Sequence, residues 1–202
     1  MLIGLGLGPG DKELLTLKAV RLLRTADKVF VPGKIAYDLV KDHVEPVVMD
    51  FPMTSDEDLI RKKLAGQADI IAPYASQGLV VFGMIGDPSF YSTFSRLCQI
   101  ISEKYPEIVF QVEPGISSIT AFASRVSGLS INGGFVVSDG PDPESIVLLK
   151  VRHPREKVRE LKERGYHQFY LAERIYMPGE RIYCEEDMPE NSDYFSIMFA
   201  RR

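Results

Sequence analysis

The sequence predicts an α/β fold made of two α/β domains, with a mostly parallel sheet in the N-terminal domain and a mixed sheet in the C-terminal domain. Short apolar runs alternate with helical segments over the first half of the chain, and after residue 115 short strands follow one another with a single helix among them. Strands joined through helices need crossover connections, so the first set forms a parallel sheet covered on both faces. We predict domains at residues 1–113 and 116–202.

The N-terminal domain contains five predicted strands. Each is a short apolar run, and the five lie at residues 2–7, 28–32, 44–49, 78–85 and 108–112. The helices between them are expected at residues 12–25, 36–42, 56–77 and 89–104. The strand at 78–85 is the most hydrophobic of the chain.

The C-terminal domain is predicted to begin with a helix at residues 116–127. Its strands are expected at residues 134–138, 145–150, 168–171, 181–185 and 193–199. One helix at residues 154–165 interrupts this set, and its alternating charges indicate that one of its faces is exposed.

Composition excludes several classes of protein. The 202 residues are 45% hydrophobic and 26% charged, as in ordinary folded domains. A net charge of −4 argues against nucleic-acid binding, and no apolar run reaches the roughly 20 residues that span a bilayer. The N terminus lacks a basic leader, and the two cysteines, Cys98 and Cys184, stand outside any metal-binding or disulfide pattern. We therefore expect a cytoplasmic protein without a membrane span or a metal site.

The first candidate site segment is rich in glycine. GLGPGD occupies residues 6–11, after a predicted strand and before a helix, where glycine lets a ligand approach the backbone and a helix N terminus favours negative charge. A dinucleotide site is the alternative, but the fingerprint Gly-x-Gly-x-x-Gly fails because Pro9 and Asp11 stand at its last position in the two possible frames. A purely structural role is also open, with Asp11 as a helix cap.

Two further segments follow predicted strands. GMIGDPSFYSTF at residues 83–94 lies at the carboxyl end of a strand, where open α/β sheets bind ligands. Asp87 can accept hydrogen bonds from a ligand or cap the next helix. EPGISS at residues 113–118 brings the hydroxyls of Ser117 and Ser118 to the same crevice, unless they only cap a helix. A serine hydrolase is not indicated, since there is no Gly-x-Ser-x-Gly elbow.

These three segments, in this order, resemble the tetrapyrrole methylase family. The matching stretches are GLGPGD at 6–11 with LLTLKA at 14–19, GDP at 86–88 with YST at 91–93, and PGISS at 114–118. Within the family, the chain is most similar to the group that methylates carbon 20 of precorrin-2 or of its cobalt complex. The stretches that carry this closer similarity are FPMT at 51–54, GDPSFYSTF at 86–94, and YFS at 194–196 with Arg201.

The resemblance implies a two-domain enzyme of cobalamin biosynthesis, usually a homodimer, that binds S-adenosylmethionine between its domains and a tetrapyrrole in an adjoining trough. The residues that it implies at the methionine and ribose parts of S-adenosylmethionine are Pro9, Ile85, Gly86, Asp87, Phe90, Ser117 and Ser118. Backbone near Lys150 and Ala172 is implied to contact the adenosine. No metal ligand is implied, and any cobalt would arrive inside the substrate.

The implied reaction is methyl transfer to an electron-rich ring carbon. Because the donor is already activated, the protein contributes chiefly by positioning the reactants. The proton lost afterwards needs a base, and Asp11 is the candidate because of its place at the first glycine loop. The carboxylates of a tetrapyrrole should meet basic groups. Candidates at strand ends or in loops are Lys34, Arg152, His153, Arg155 and Arg174.

Three other functions stay open. The chain could methylate a different ring carbon, methylate a protein histidine as diphthine synthases do, or bind a nucleotide as a regulatory protein without turnover. The FPMT stretch at 51–54 favours a tetrapyrrole methylase over the diphthine synthase type, and the intact GDP and PG stretches count against loss of activity. The sequence does not indicate whether the substrate already holds cobalt.

Overall fold

The computed structural model describes residues 1–51, 56–90, 92–125, 143–175 and 178–202. Contacts divide the chain into two compact units, residues 1–130 and 131–202, so the helix predicted to open the second domain is grouped with the first unit. The domain bounds 1–113 and 116–202 stay a prediction. Four predicted features lie wholly or partly outside the described residues, namely residues 52–54 of FPMT, Tyr91, residues 126–127 of the predicted helix and the predicted strand at 134–138.

The first unit is built on a parallel sheet of five strands, which confirms the predicted α/β class. The strands are β1 (Leu2–Gly6), β2 (Lys28–Pro32), β3 (Val47–Met49), β4 (Val80–Met84) and β5 (Phe110–Glu113). Their order in the sheet is β3-β2-β4-β1-β5, and all four pairings are parallel. Because β1 lies between β4 and β5, the segments that follow these three strands leave the same edge of the sheet side by side.

Helices cover both faces of this sheet, as a parallel sheet requires. The covering helices are α1 (Leu17–Thr25), α2 (Lys34–Val40), α3 (Glu57–Gln77) and α4 (Phe94–Lys104), and α5 (Ser118–Arg125) follows β5. Side chains alternate along the strands, so Phe30 and Phe82 pack in one buried cluster with α3 and α4, whereas Val29 and Val81 pack in another with α1 and α2.

The helix predicted over residues 12–25 forms in two pieces. Residues Lys12–Leu14 make a 3-10 turn, capped by Asp11 Oδ1, which accepts a hydrogen bond from the Glu13 amide at 3.0 Å. α1 then begins at Leu17, and Thr16 Oγ1 accepts from the Ala19 amide at 3.0 Å. Asp11 and Thr16 are both strong N-cap residues, and two caps five positions apart start two helical segments rather than one.

The second unit holds a four-stranded sheet and one helix. The strands are β6 (Ser145–Leu149), β7 (Gln168–Glu173), β8 (Arg181–Cys184) and β9 (Ser196–Arg201), and the helix is α6 (Pro154–Glu163). The order is β6-β9-β7-β8, and every described pairing is antiparallel. The described part of this sheet is therefore antiparallel, where a mixed sheet was predicted. β6, α6 and β7 form a crossover unit, but β9 inserts between its two strands and so prevents a parallel pair.

The helices of the described ranges include none that is long and apolar enough to cross a bilayer.

The two cysteines lie in different environments, which predicts different reactivity. Cys98 sits on α4 against the core of the first unit, and burial raises the pKa of its thiol to about 12. Cys184 ends β8 and is exposed. Because the thiolate is the reactive form, we expect a thiol reagent at pH 8 to modify one cysteine per native chain and both in denaturant. Cys184→Ser should remove the fast-reacting thiol, and rapid modification of both cysteines in the native chain would contradict the expectation.

Candidate functional site

The three glycine-containing segments meet at the carboxyl edge of the parallel sheet, as their sequence positions predict. The amide of Leu7 donates to the Met84 carbonyl at 2.8 Å, and Gly8 and Gly86 exchange backbone hydrogen bonds of 3.3 and 2.7 Å. Gly8 and Gly86 both have φ of 76°, a conformation that favours glycine. The first two segments are therefore joined through backbone atoms beyond the ends of β1 and β4.

Gly6, Gly86 and Gly115 bring three backbone segments into direct contact. A Cβ atom built on Gly6 would lie 2.5 Å from the Gly115 Cα and 2.8 Å from the Gly86 carbonyl oxygen. A Cβ on Gly115 would lie 2.7 Å from the Gly6 carbonyl carbon and closer still to the Gly86 oxygen. All of these neighbours are backbone atoms, which cannot swing aside as a side chain can, so only glycine fits at Gly6 and Gly115.

Asp87 links the second segment to the third. Its Oδ1 accepts a hydrogen bond from the Ser89 amide at 2.8 Å, and its Oδ2 accepts from the Gly115 amide at 3.2 Å. The first bond closes a local turn and does not cap α4, because α4 begins only at Phe94. The carboxylate therefore fixes the loop after β4 against the loop after β5.

Ser117 and Ser118 stand at the start of α5. Ser117 Oγ accepts from the Ile119 amide at 3.2 Å, and the Ser117 carbonyl accepts from the Ala121 amide at 2.9 Å, so Ser117 is the N-cap that the alternative interpretation predicts. Ser118 is the first residue of the helix and is exposed. The hydroxyl of Ser118 thus faces solvent at the N terminus of a helix.

The surface around these loops is open. No heavy atom lies within 4 Å of a Cβ built on Gly10 or Gly86. Ile85 is 40% exposed and Phe90 is 51% exposed, while Pro9 is half-buried. The edge of the sheet therefore presents accessible backbone beside exposed apolar side chains, a surface suited to a small molecule with both polar and apolar parts.

Asp11 lies at the outer end of the first loop and is exposed. The only hydrogen bond of its side chain to a described residue is the capping bond from Glu13 described above. The geometry thus confirms its capping role, and its role as a base stays a prediction.

One ion pair at this edge was missed by the sequence reasoning. The Nζ of Lys18 lies 2.5 Å from Oε2 of Glu113, whose side chain is only 13% exposed. The pair ties the first turn of α1 to the end of β5. No local pattern could have indicated it, because the two residues meet only once β5 has paired with β1.

In the second unit, Lys150 follows β6 directly, whereas Ala172 lies one residue before the end of β7. Lys150 has φ of 57° and Arg174, which follows β7, has φ of 52°. This left-handed conformation is uncommon for residues other than glycine. The amides of both residues donate to the segment that leads into β9, Lys150 to the Ser196 carbonyl and Arg174 to the Phe195 carbonyl, each at 2.8 Å.

Most of the predicted basic residues already have protein partners. Lys34 pairs with Asp38 at 2.9 Å, and Arg174 pairs with Asp193 at 3.0 Å. The remaining contacts are Arg155 Nε to the Met188 carbonyl at 2.7 Å, His153 Nδ1 to Asn191 Oδ1 at 3.1 Å, and Arg152 over the Tyr194 ring at 5.3 Å. Over the described ranges, no group of three or more His, Cys, Asp or Glu side chains is arranged to hold a metal ion.

Comparisons with known proteins indicate one protein family. A model of the tetrapyrrole (corrin/porphyrin) methylases matches residues 1–187. The probable cobalt-precorrin-2 C(20)-methyltransferase of Methanocaldococcus jannaschii is 32% identical over 222 residues, which cover 98% of this chain and 95% of that protein. The precorrin-2 C(20)-methyltransferase of a Sinorhizobium species is 28% identical over 233 residues, covering 98% and 94%.

Solved structures agree with the fold. The X-ray structure of a cobalt precorrin-4 methyltransferase superposes with a TM-score of 0.51 at 18% identity and covers 99% of this chain and 94% of that one. At this identity the likeness concerns the fold alone.

Proposed function

Since the chain belongs to the tetrapyrrole (corrin/porphyrin) methylase family, we propose that it transfers a methyl group from S-adenosylmethionine to carbon 20 of precorrin-2 or its cobalt complex in cobalamin biosynthesis. The observation that supports this ring position most strongly is the 32% identity, over nearly the full length of both chains, with a relative named for it. The carboxyl-edge loops of the parallel sheet supply the surface on which a small donor can bind.

The loops of the first unit suit S-adenosylmethionine. The space beside the Gly86 Cα is open, because no heavy atom lies within 4 Å of a Cβ built there, and Ile85 and Phe90 offer apolar contact. When bound, S-adenosylmethionine supplies a methyl group already activated for transfer by a positively charged sulfur. We assign Pro9, Asp87 and the serines 117 and 118 to the methionine and ribose parts, and backbone at Lys150 and Ala172 to the adenosine.

The chain's own contribution in this proposal is positioning. Holding two reactants in a near-attack arrangement lowers a barrier without any covalent step on the protein. The fixed backbone contacts among Gly6, Gly86 and Gly115 and the Asp87 bridge leave the loops little freedom to shift. A rigid edge of this kind keeps the donor's position constant while the tetrapyrrole is exchanged.

Asp11 is proposed as the base that accepts the proton from the methylated carbon, and Asp11→Asn tests this. Asparagine caps helices as well as aspartate does, so we expect the fold and the affinity for S-adenosylhomocysteine to be unchanged while kcat falls about 100-fold. Steady-state kinetics and calorimetric binding measure the two effects. Unchanged turnover together with unchanged cofactor affinity would exclude Asp11 as the base.

The reaction itself is tested by anaerobic incubation of the purified protein with S-adenosylmethionine and either precorrin-2 or cobalt-precorrin-2. We expect mass spectrometry to show a gain of one methyl group on one of the two substrates, which also assigns the cobalt-dependent or cobalt-independent branch. Fragmentation or NMR then locates the methyl group. Methylation at another carbon would assign the chain to a sister methylase, and binding of S-adenosylhomocysteine without turnover on either substrate would contradict the substrate assignment.

The family resemblance also supports a homodimeric, cytoplasmic enzyme, and we include both in the proposal. Sedimentation velocity of the purified protein measures the oligomeric state. A single monomeric species at micromolar concentration would contradict the dimer.

A further inference from the structure

Two cationic side chains flank one exposed aromatic ring at the strand ends of the second unit. The Nζ of Lys150 lies 5.1 Å and the Cζ of Arg152 lies 5.3 Å from the centre of the Tyr194 ring. Tyr194 is 45% exposed and Phe195 is 52% exposed, and their rings meet edge to face at 5.4 Å. We call these four residues the Tyr194 cluster.

Neither cation of the Tyr194 cluster has a carboxylate oxygen within ion-pair distance in the described ranges. Arg174, which adjoins the cluster, is paired with Asp193, but neither Lys150 nor Arg152 forms an ion pair there. The Phe195 amide and the Arg174 guanidinium lower the pKa of Asp193, and the more distant charge of Arg152 adds to this effect. The hydrogen bonds of this carboxylate are made to Phe195 and Arg174, and it forms none with Arg152. The ammonium of Lys150 and the guanidinium of Arg152 thus have no hydrogen-bonded carboxylate in the described ranges and can still bind an external anion.

The backbone holds the cluster in place. Lys150 keeps a left-handed φ of 57° because its amide donates to the Ser196 carbonyl, which anchors the start of β9 immediately after Phe195. A residue with a Cβ pays a free-energy cost in this conformation, and such conformations persist mainly where the surrounding structure enforces them, often beside ligand sites. The position of the cluster is therefore set by strand ends and does not depend on the flexible side chains alone.

We propose that the Tyr194 cluster binds a carboxylate side arm of the tetrapyrrole, with the ammonium of Lys150 and the guanidinium of Arg152 on the carboxylate and the exposed rings against the adjoining hydrocarbon. Guanidinium and ammonium groups are the usual protein partners of carboxylates, and aromatic rings add apolar contact area. The inference rests on the proposed function, which supplies a substrate with many carboxylates. The backbone contact assigned to Lys150 above leaves its ammonium group available.

The test replaces each cation with an uncharged side chain of similar length. Lys150→Gln and Arg152→Gln are each expected to raise the KM for the tetrapyrrole about threefold to tenfold, and the double variant about thirtyfold. Arg152 is not among the residues assigned to the cofactor, so Arg152→Gln should leave the Kd for S-adenosylhomocysteine constant. Lys150→Arg and Arg152→Lys, which keep the charge, should recover most of the affinity. Because the two cations are exposed, far-UV circular dichroism should match the unmodified protein for all variants.

Arg202→Gln is a matched control. Arg202 and Arg164 lie 5.0 and 6.0 Å from the centre of the Tyr166 ring, which is a second two-cation arrangement in the same unit. Tyr166 is buried, at 1% exposure, so it offers no aromatic surface to a ligand. The control loses the same charge and the same kind of ring contact, yet the KM for the tetrapyrrole should not change.

Two results would overturn the proposal. One is an unchanged KM in the double variant. The other is a rise in the Kd for S-adenosylhomocysteine without a rise in KM, which would assign the cluster to the adenosine. If the unmodified protein methylates neither precorrin-2 form, the proposed function fails separately, and binding of uroporphyrin III, a tetrapyrrole octacarboxylate, is measured by quenching of its fluorescence. Weaker binding by the double variant then supports the cluster, and equal binding overturns it.

Discussion

Gly115→Ala is expected to cost at least about 3 kcal/mol of unfolding free energy and to abolish measurable binding of S-adenosylhomocysteine. The added Cβ would lie 2.7 Å from the Gly6 carbonyl carbon and nearer to the Gly86 carbonyl oxygen. Relief requires the backbone after β1 or β4 to move, and both segments form the proposed cofactor site. Urea denaturation gives the stability loss, and isothermal titration calorimetry gives the binding.

Gly66→Ala is the control for this substitution. Gly66 lies inside α3 and is exposed, and a Cβ built there meets no atom within 4 Å. Alanine is a better helix former than glycine, so we expect this variant to gain about 0.5–1 kcal/mol and to bind normally. A Gly115→Ala protein as stable as Gly66→Ala, with intact binding, would show that the three loops are not packed as described.

Asp87→Ala is expected to weaken binding of S-adenosylhomocysteine at least about tenfold while the protein remains folded. The substitution removes both acceptors at once, and hydrogen bonds to a charged group are worth about 1.5–3 kcal/mol each. Without them the Gly115 amide and the Ser89 amide lose their partner, and the loops after β4 and β5 are no longer tied together. Asp87→Asn keeps one acceptor oxygen, so its affinity for S-adenosylhomocysteine should lie between those of the Asp87→Ala and unmodified proteins.

Asp27→Asn separates this effect from a general loss of stability. Asp27 Oδ2 also accepts a backbone hydrogen bond, from the Leu79 amide at 2.7 Å, but it does so before β2 and β4 begin. The amino ends of β2 and β4 lie at the edge of the parallel sheet opposite to the carboxyl edge that holds the proposed cofactor site. Asp27→Asn should therefore lower the unfolding free energy without changing the Kd for S-adenosylhomocysteine. If the Asp87→Ala and unmodified proteins bind S-adenosylhomocysteine with equal affinity, Asp87 does not contribute to the site.

Local sequence patterns predicted the elements well and their long-range contacts poorly. The apolar run of β4 and the glycine turn after it are local properties, so the strand and the loop that follows it could be recognised from neighbouring residues. The adjacency of the three loops also followed, because parallel strands end at one edge. The bond from Gly115 to Asp87 could not be predicted, since it joins residues 28 positions apart whose separation depends on the strand order.

Because local patterns do not reveal long-range contacts, the sequence predicted a mixed second sheet where the described strands pair antiparallel. The sequence around β6, α6 and β7 is typical of a crossover unit with adjacent parallel strands, and the unit does form. Nothing within these residues indicates that a later strand will lie between them. The position of β9 between β6 and β7 is decided by residue pairs far apart in sequence, such as Leu148 and Met198.

A ribosome delivers β9 after every other strand of the second sheet, although β9 occupies an inner position between β6 and β7. Until residues 196–201 leave the exit tunnel, β6 and β7 lack the partner that both require, and each exposes an unpaired edge. β7 and β8 can pair with each other earlier, but the sheet of this unit is complete only once β9 joins β6 to β7. Nascent chains stalled shortly before this point present the apolar core of the unit to chaperones and proteases.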